Sequence, residues 1–348
     1  MPAGFHLLMA AQFVSALADN ALIIVAIALL QQQGHPAWWA PMLKFCFTIA
    51  YVVLAPLEGP LADAFVKPRL MMAMNALKVL GGALISPEVA RLGLRLWPAV
   101  PPLDAAIVLL LVGYALAALL NLGIPDSGVR YRRAHRAPLA LWRSFSRAQR
   151  RLWQDAEGSL SMAVTTLFWG AAAVMQFAVL RWAVDVLGLS LDRAAYLQGT
   201  VAVGIVAGAA VAGRYVALAQ AWRVLPLGVA MGLVVPVITL VDGWLMALPL
   251  LLLVGALGGA MVVPLNALLQ YRGHQLLTAG RSIAVQNFNE NLSMLVMLGV
   301  FALLLALEVS AAAVVVLLGL LVASVMAVLT LRETLRRREG SPAAGRRT

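Results

Sequence analysis

The chain has 348 residues, of which 62% are hydrophobic and only 12% charged, with a mean hydropathy of +0.90. That is more apolar surface than a water-soluble core of this length can hide, so a water-facing globular protein is excluded and lipid is the expected solvent. A formal net charge of +11 raises nucleic acid as a partner, but the positive residues are grouped between apolar segments, which marks topology and excludes that partner.

Because a span needs about 20 apolar residues to cross the hydrocarbon layer, ten transmembrane helices are expected. In chain order they lie near 7–30, 38–57, 69–86, 104–124, 160–187, 195–216, 224–241, 244–269, 282–306 and 309–331. The first is not a signal peptide, since Met1–His6 holds no Lys or Arg and the apolar run continues past Ala18. The loops after every second span carry Lys67 and Arg69, Arg130 through Arg151, Arg214 and Arg223, Arg272 and Arg281, and Arg332 through Arg347. Together these hold 20 of the 26 Lys and Arg, while the opposite loops hold Arg91, Arg95 and Arg193. The positive-inside rule then places both termini in the cytoplasm.

The expected organisation is a four-span bundle over 1–124, a basic cytoplasmic linker over 125–159, a six-span bundle over 160–331 and a basic tail over 332–348. Within the linker Leu141, Trp142, Phe145, Ala148 and Leu152 recur at helical spacing, with Arg143, Arg147, Arg150 and Arg151 beside them. That pattern fits an interfacial helix on membrane lipids; a solvated basic linker is the other reading. The pairs Gly204 with Gly208 and Gly255 with Gly259 are read as helix-packing positions.

Ionisable groups inside spans cost energy and need partners or a cavity. Asp19 lies near the middle of the first span beside Asn20, and Lys78 lies mid-span in the third. Two readings stand: a neutralising Asp19–Lys78 pair, or contact with substrate. Glu290 lies in the polar run Gln286-Asn287-Phe288-Asn289-Glu290-Asn291, which either lines an aqueous path or hydrogen-bonds neighbouring helices. Arg181 with Asp185, and Lys44, lie toward helix ends, where long side chains reach the interface.

Cys46 has no partner for a disulfide, and His6, His35, His135 and His274 show no metal-ligand spacing, so neither metal nor cofactor is expected. No nucleophile with a base, P-loop or dinucleotide fingerprint is present, so the chain is not read as an enzyme.

The loop Glu58-Gly59-Pro60-Leu61-Ala62-Asp63-Ala64-Phe65-Val66-Lys67-Pro68-Arg69, read as a tight Gly-Pro turn, resembles the signature between the second and third helices of the major facilitator superfamily. Further segments are Ala11-Gln12-Phe13-Val14-Ser15-Ala16-Leu17-Ala18-Asp19-Asn20-Ala21-Leu22, Leu167-Phe168-Trp169-Gly170, Val263-Pro264-Leu265-Asn266-Ala267-Leu268-Leu269-Gln270 and Ala284-Val285-Gln286-Asn287. With these the chain closely resembles the bacterial lysophospholipid transporter family over most of its length.

The resemblance implies a major-facilitator-like, all-α bundle that flips lysophosphatidylethanolamine and related lysolipids to the cytoplasmic leaflet, where an acyl-ACP-dependent acyltransferase reacylates them. It implies substrate contact by Asp19, Asn20, Lys78, Arg181, Asn287 and Glu290, and gating by Gly59, Asp63, Lys67 and Arg69. The chain departs from the twelve-helix layout between Leu84 and Asp104, where two spans have no counterpart, and it has Gln176 where the family carries an arginine in its seventh helix. The alternative reading is a transport-inactive scaffold or degenerate paralogue associated with the acyltransferase.

Overall fold

The computed structural model describes residues 3–32, 34–36, 38–85, 102–124, 138–241 and 243–339. Arg91 and Arg95, most of the stretch between Leu84 and Asp104, the basic segment 125–137 and the tail beyond Glu339 lie outside the described residues, as does the side chain of Asn20.

All regular structure among the described residues is helical: α1 Ala3–Gln32, α2 Trp39–Ala64, α3 Lys67–Ile85, α4 Pro102–Leu122, α5 Pro138–Gln154, α6 Ala156–Asp185, α7 Leu191–Tyr215, α8 Leu225–Val237, α9 Trp244–Leu276, α10 Ala279–Ala306 and α11 Ala311–Glu339. Short 3₁₀ segments, Leu218–Val224 and Ile238–Leu240, flank α8. Every expected span falls on one of these helices. Among the described residues eight segments are long and apolar enough to cross a membrane, and the chain is a polytopic helical membrane protein. The expected spans 69–86 and 104–124 fall on α3 and α4, which are not among those eight; α3 carries three cations in 19 residues, and the apolar run of α4 is Ile107–Leu122. Large apolar side chains such as Phe13, Leu17, Val203 and Val206 stand exposed along these helices, as lipid contact requires.

Two compact units divide the chain. The first comprises 1–36 and 57–136, in which α4 packs against both α1 and α3. Its described core is Ala18, Leu110 and Tyr114, flanked by Leu22, Val25 and Val79.

The second unit comprises 37–56 and 137–348 and contains α5 to α11 with the first part of α2. Its most extensive packing joins α7 to α9, α8 to α11 and α6 to α10. The small residues read from sequence explain the first of these. A Cβ added at Gly204 or Gly208 would collide with backbone oxygens of Leu252 or Ala256, and one at Gly255 or Gly259 with those of Val201 or Ile205. The α7 and α9 backbones therefore meet directly, which only glycine allows.

The Gly59-Pro60 pair is not a turn. Both residues lie inside α2, and the chain turns at Phe65-Val66 before α3 begins at Lys67. In an apolar solvent a continued helix satisfies the remaining backbone groups internally, whereas an early turn would leave them open.

The helix expected within the linker is α5, amphipathic as read. Its apolar side covers the second unit, with Ala148 and Leu152 buried against Met162, Leu269 and Val285. Arg143, Arg147, Arg150 and Arg151 remain exposed.

Candidate functional site

Mid-span polar side chains gather into separate groups. In the first unit Lys78 of α3 places Nζ 2.9 and 2.8 Å from the two carboxylate oxygens of Asp19 on α1. The same ammonium donates to Ser15 Oγ at 3.2 Å, and Ser15 donates to Asn75 Oδ1 at 3.1 Å. From α4, Tyr114 donates its hydroxyl to Asp19 Oδ1 at 2.7 Å, with its ring centroid 5.3 Å from Lys78 Nζ. Ser15, Asn75 and Tyr114 are buried, whereas the Asp19 side chain keeps 46% of its surface and Lys78 33%. The charges are thus neutralised by each other and still partly exposed, so the pair and substrate readings of Asp19 are compatible. Spacing pointed to Asp19 and Lys78 but missed Ser15, Asn75 and Tyr114; a lone tyrosine in an aliphatic run was the one available signal.

In the second unit Glu290 of α10 is buried, with amide and hydroxyl partners. Gln286 donates to its Oε1 at 2.9 Å and to Asn266 Oδ1 of α9 at 2.7 Å, and Thr165 of α6 also bonds Glu290. No Lys or Arg among the described residues lies within ion-pairing distance of Glu290. Asn287 is half-buried on the same helix, its carbonyl accepting from Asn291. One residue before Glu290, Asn289 exchanges hydrogen bonds with Gln149 of α5 at 2.8 and 2.9 Å and accepts from Trp153. The polar run therefore hydrogen-bonds neighbouring helices, one of the two uses open to it from sequence.

Arg181 does not join that group. It pairs with Asp185 at 3.0 Å on the exposed side of α6, 16 residues and so about 24 Å along the helix from Thr165. Lys44 of α2 was read as reaching for the interface, but its Nζ donates to Gln176 Oε1 of α6 at 3.1 Å.

At the end of the unit where α6 begins and α9 and α11 finish, Asp155 caps α6 by accepting from Gly158 N at 2.8 Å and also pairs with Arg272 through both carboxylate oxygens. The Arg272 hydrogen bonds hold the Asp155 carboxyl below the usual carboxylate range, against the opposing effect of burial. Glu157, Glu333, Arg336 and Arg337 extend this network, and Arg337 lies over Trp222 with 4.8 Å to the ring centroid. Neither periodicity nor composition indicated it.

Of the residues expected to gate, Gly59 is buried and Asp63 half-buried on the last turns of α2, while Lys67 and Arg69 are exposed at the start of α3. Among the described residues no group of His, Cys, Asp and Glu could hold a metal ion.

No protein-family model matches the chain. The protein named "Lysophospholipid transporter LplT" from Yersinia pestis (strain Pestoides F) is 38% identical over 355 residues, covering 87% of this chain and 87% of that protein. The protein of the same name from Yersinia pseudotuberculosis serotype O:3 (strain YPIII) matches to the same extent. Since 87% of 348 residues is about 303, roughly 50 of the 355 aligned positions face no residue here, room for two spans of about 20 residues. With that identity over most of both sequences, the chain belongs to the lysophospholipid transporter family of multi-pass, non-enzymatic membrane transporters.

Proposed function

We propose that this transporter moves lysophosphatidylethanolamine and related lysolipids across the bacterial inner membrane to the cytoplasmic leaflet, with both of its own termini cytoplasmic. The observation that carries the reading is the Asp19, Lys78 and Tyr114 cluster in a chain 38% identical to lysophospholipid transporters. A lysolipid has one acyl chain that can stay in apolar contact and a zwitterionic or anionic head that needs polar partners. Asp19, aided by Asn20, engages the head-group amine, and Lys78, released from Asp19, turns to the phosphate. Within the second unit Asn287 and Glu290 of α10 offer further polar contact to the head group, and Arg181 attracts the phosphate. Gly59, Asp63, Lys67 and Arg69 hold or release the cytoplasmic face during alternating access. The product leaflet suits a cytoplasmic acyl-ACP-dependent acyltransferase as the consuming partner.

The test is translocation of labelled lysophosphatidylethanolamine into liposomes holding the purified protein, against empty vesicles and Asp19→Ala. Asp19-dependent translocation is expected. The roughly 50 unmatched positions favour one rival, a transport-inactive scaffold, and a folded protein that performs no better than empty vesicles would select it.

A further inference from the structure

Within the second unit a pocket opens among α6, α7, α8, α9 and α11, lined by Phe168, Val201, Met231, Val254 and Leu318, with other apolar side chains and three glycines. Its polar lining residues are Gln176 and Gln198. These two are tied together, since Gln198 Nε2 donates to the Gln176 carbonyl at 2.9 Å, and the Gln176 side-chain oxygen accepts from Lys44 Nζ at 3.1 Å. Lys44 is half-buried, and no carboxylate among the described residues lies within 4.0 Å of it. An ammonium held by a neutral amide has its charge left for an anion, because one amide hydrogen bond does not compensate it.

The geometry points to a binding site for a single-chain phosphate-bearing amphiphile: the acyl chain of a lysophospholipid enters the apolar pocket and its phosphate takes Lys44 from Gln176. This rests on the transport reading above but assigns the chain and a phosphate contact to residues that reading does not use. A volume of about 90 Å³ holds the end of one chain and has no room for a second. Complementarity between the cation and a phosphate selects the lysolipid over a neutral monoacylglycerol.

The experiment uses lysophosphatidylethanolamine with a photoreactive diazirine at the end of its chain, applied to the full-length protein in liposomes, with mapping of the labelled peptides. Label on the α8 or α11 segments that line the pocket is expected. Ala172→Phe, which adds a ring at the lining, should cut that label about tenfold, and Val201→Phe serves the same purpose if the first variant fails to fold. Lys44→Gln should weaken competition by unlabelled lysophosphatidylethanolamine about tenfold, the effect of losing one charge-assisted hydrogen bond, and leave competition by monoacylglycerol unchanged. Label confined to other segments while translocation persists would overturn the site, as would equal competition by diacyl phospholipid. Pocket labelling without translocation would overturn the transport reading and leave the site standing.

Discussion

Tyr114 donates its hydroxyl to the same Asp19 carboxylate that Lys78 neutralises, at 2.7 Å, from a position with only 3% of its surface exposed. The phenol fixes one oxygen of the carboxylate while the ammonium spans both, so Asp19 is oriented as well as neutralised. Tyr114→Phe removes only that hydroxyl. It should leave the protein folded and reduce lysolipid translocation about fivefold, the scale of one hydrogen bond, as measured in liposomes. Unchanged translocation would show that Tyr114 only packs.

Charge exchange separates the two roles of the ion pair. Asp19→Lys combined with Lys78→Asp preserves a neutral pair and should restore the membrane abundance that either single change lowers. Translocation should stay at background, because a head group would meet reversed charges. Recovery of transport by the double variant would make the pair purely structural.

The α7–α9 contact predicts a sharp difference between two glycines of one helix. Gly208→Ala drives a Cβ into the backbone of Ala256 and should cost at least the ~1–3 kcal/mol of an overpacked core, whereas Gly213→Ala meets nothing within 4 Å and should be neutral or mildly stabilising. Thermal unfolding in detergent, followed by size-exclusion elution, measures both.

Asp155 supplies a pH dependence. Its folded pKa lies below the unfolded value of about 3.9, so the stability from its pairing with Arg272 is complete above that value and is lost as pH falls through the folded pKa. Between pH 6 and 8 this pair should contribute no slope. Asp155→Asn keeps a good helix cap but not the ion pair, and should lower Tm at pH 7 while flattening the acid limb of the Tm profile. An unaltered acid limb would assign acid sensitivity to other groups.

The helical architecture was readable because each span is a run of apolar residues and lipid admits few other solutions; 156–185 and 311–339 differ from the expected 160–187 and 309–331 only at their ends. Asp19 and Lys78 were visible as charges where charge is expensive. Their companions were not, because Ser15, Asn75 and Tyr114 are unremarkable residues whose meaning comes from tertiary neighbours 60 to 95 positions away. The Lys44–Gln176 contact, across 132 positions, was hidden for the same reason. Gly59-Pro60 misled because turn propensity was weighed as if water could satisfy the backbone.

The 3₁₀ segments on either side of α8 set the reach of that part of the chain. Thirteen α-helical residues rise only about 20 Å, short of a hydrocarbon layer of about 30 Å. The ten 3₁₀ residues of Leu218–Val224 and Ile238–Leu240 climb about 2.0 Å each and add roughly 20 Å. Placed in line, the overwound ends take this proline-bounded segment to roughly 40 Å, the hydrocarbon with its headgroup regions, so that Arg223 of the first 3₁₀ segment falls at headgroup level; lengthening the α-helical part would create a mismatch that tilt would have to absorb.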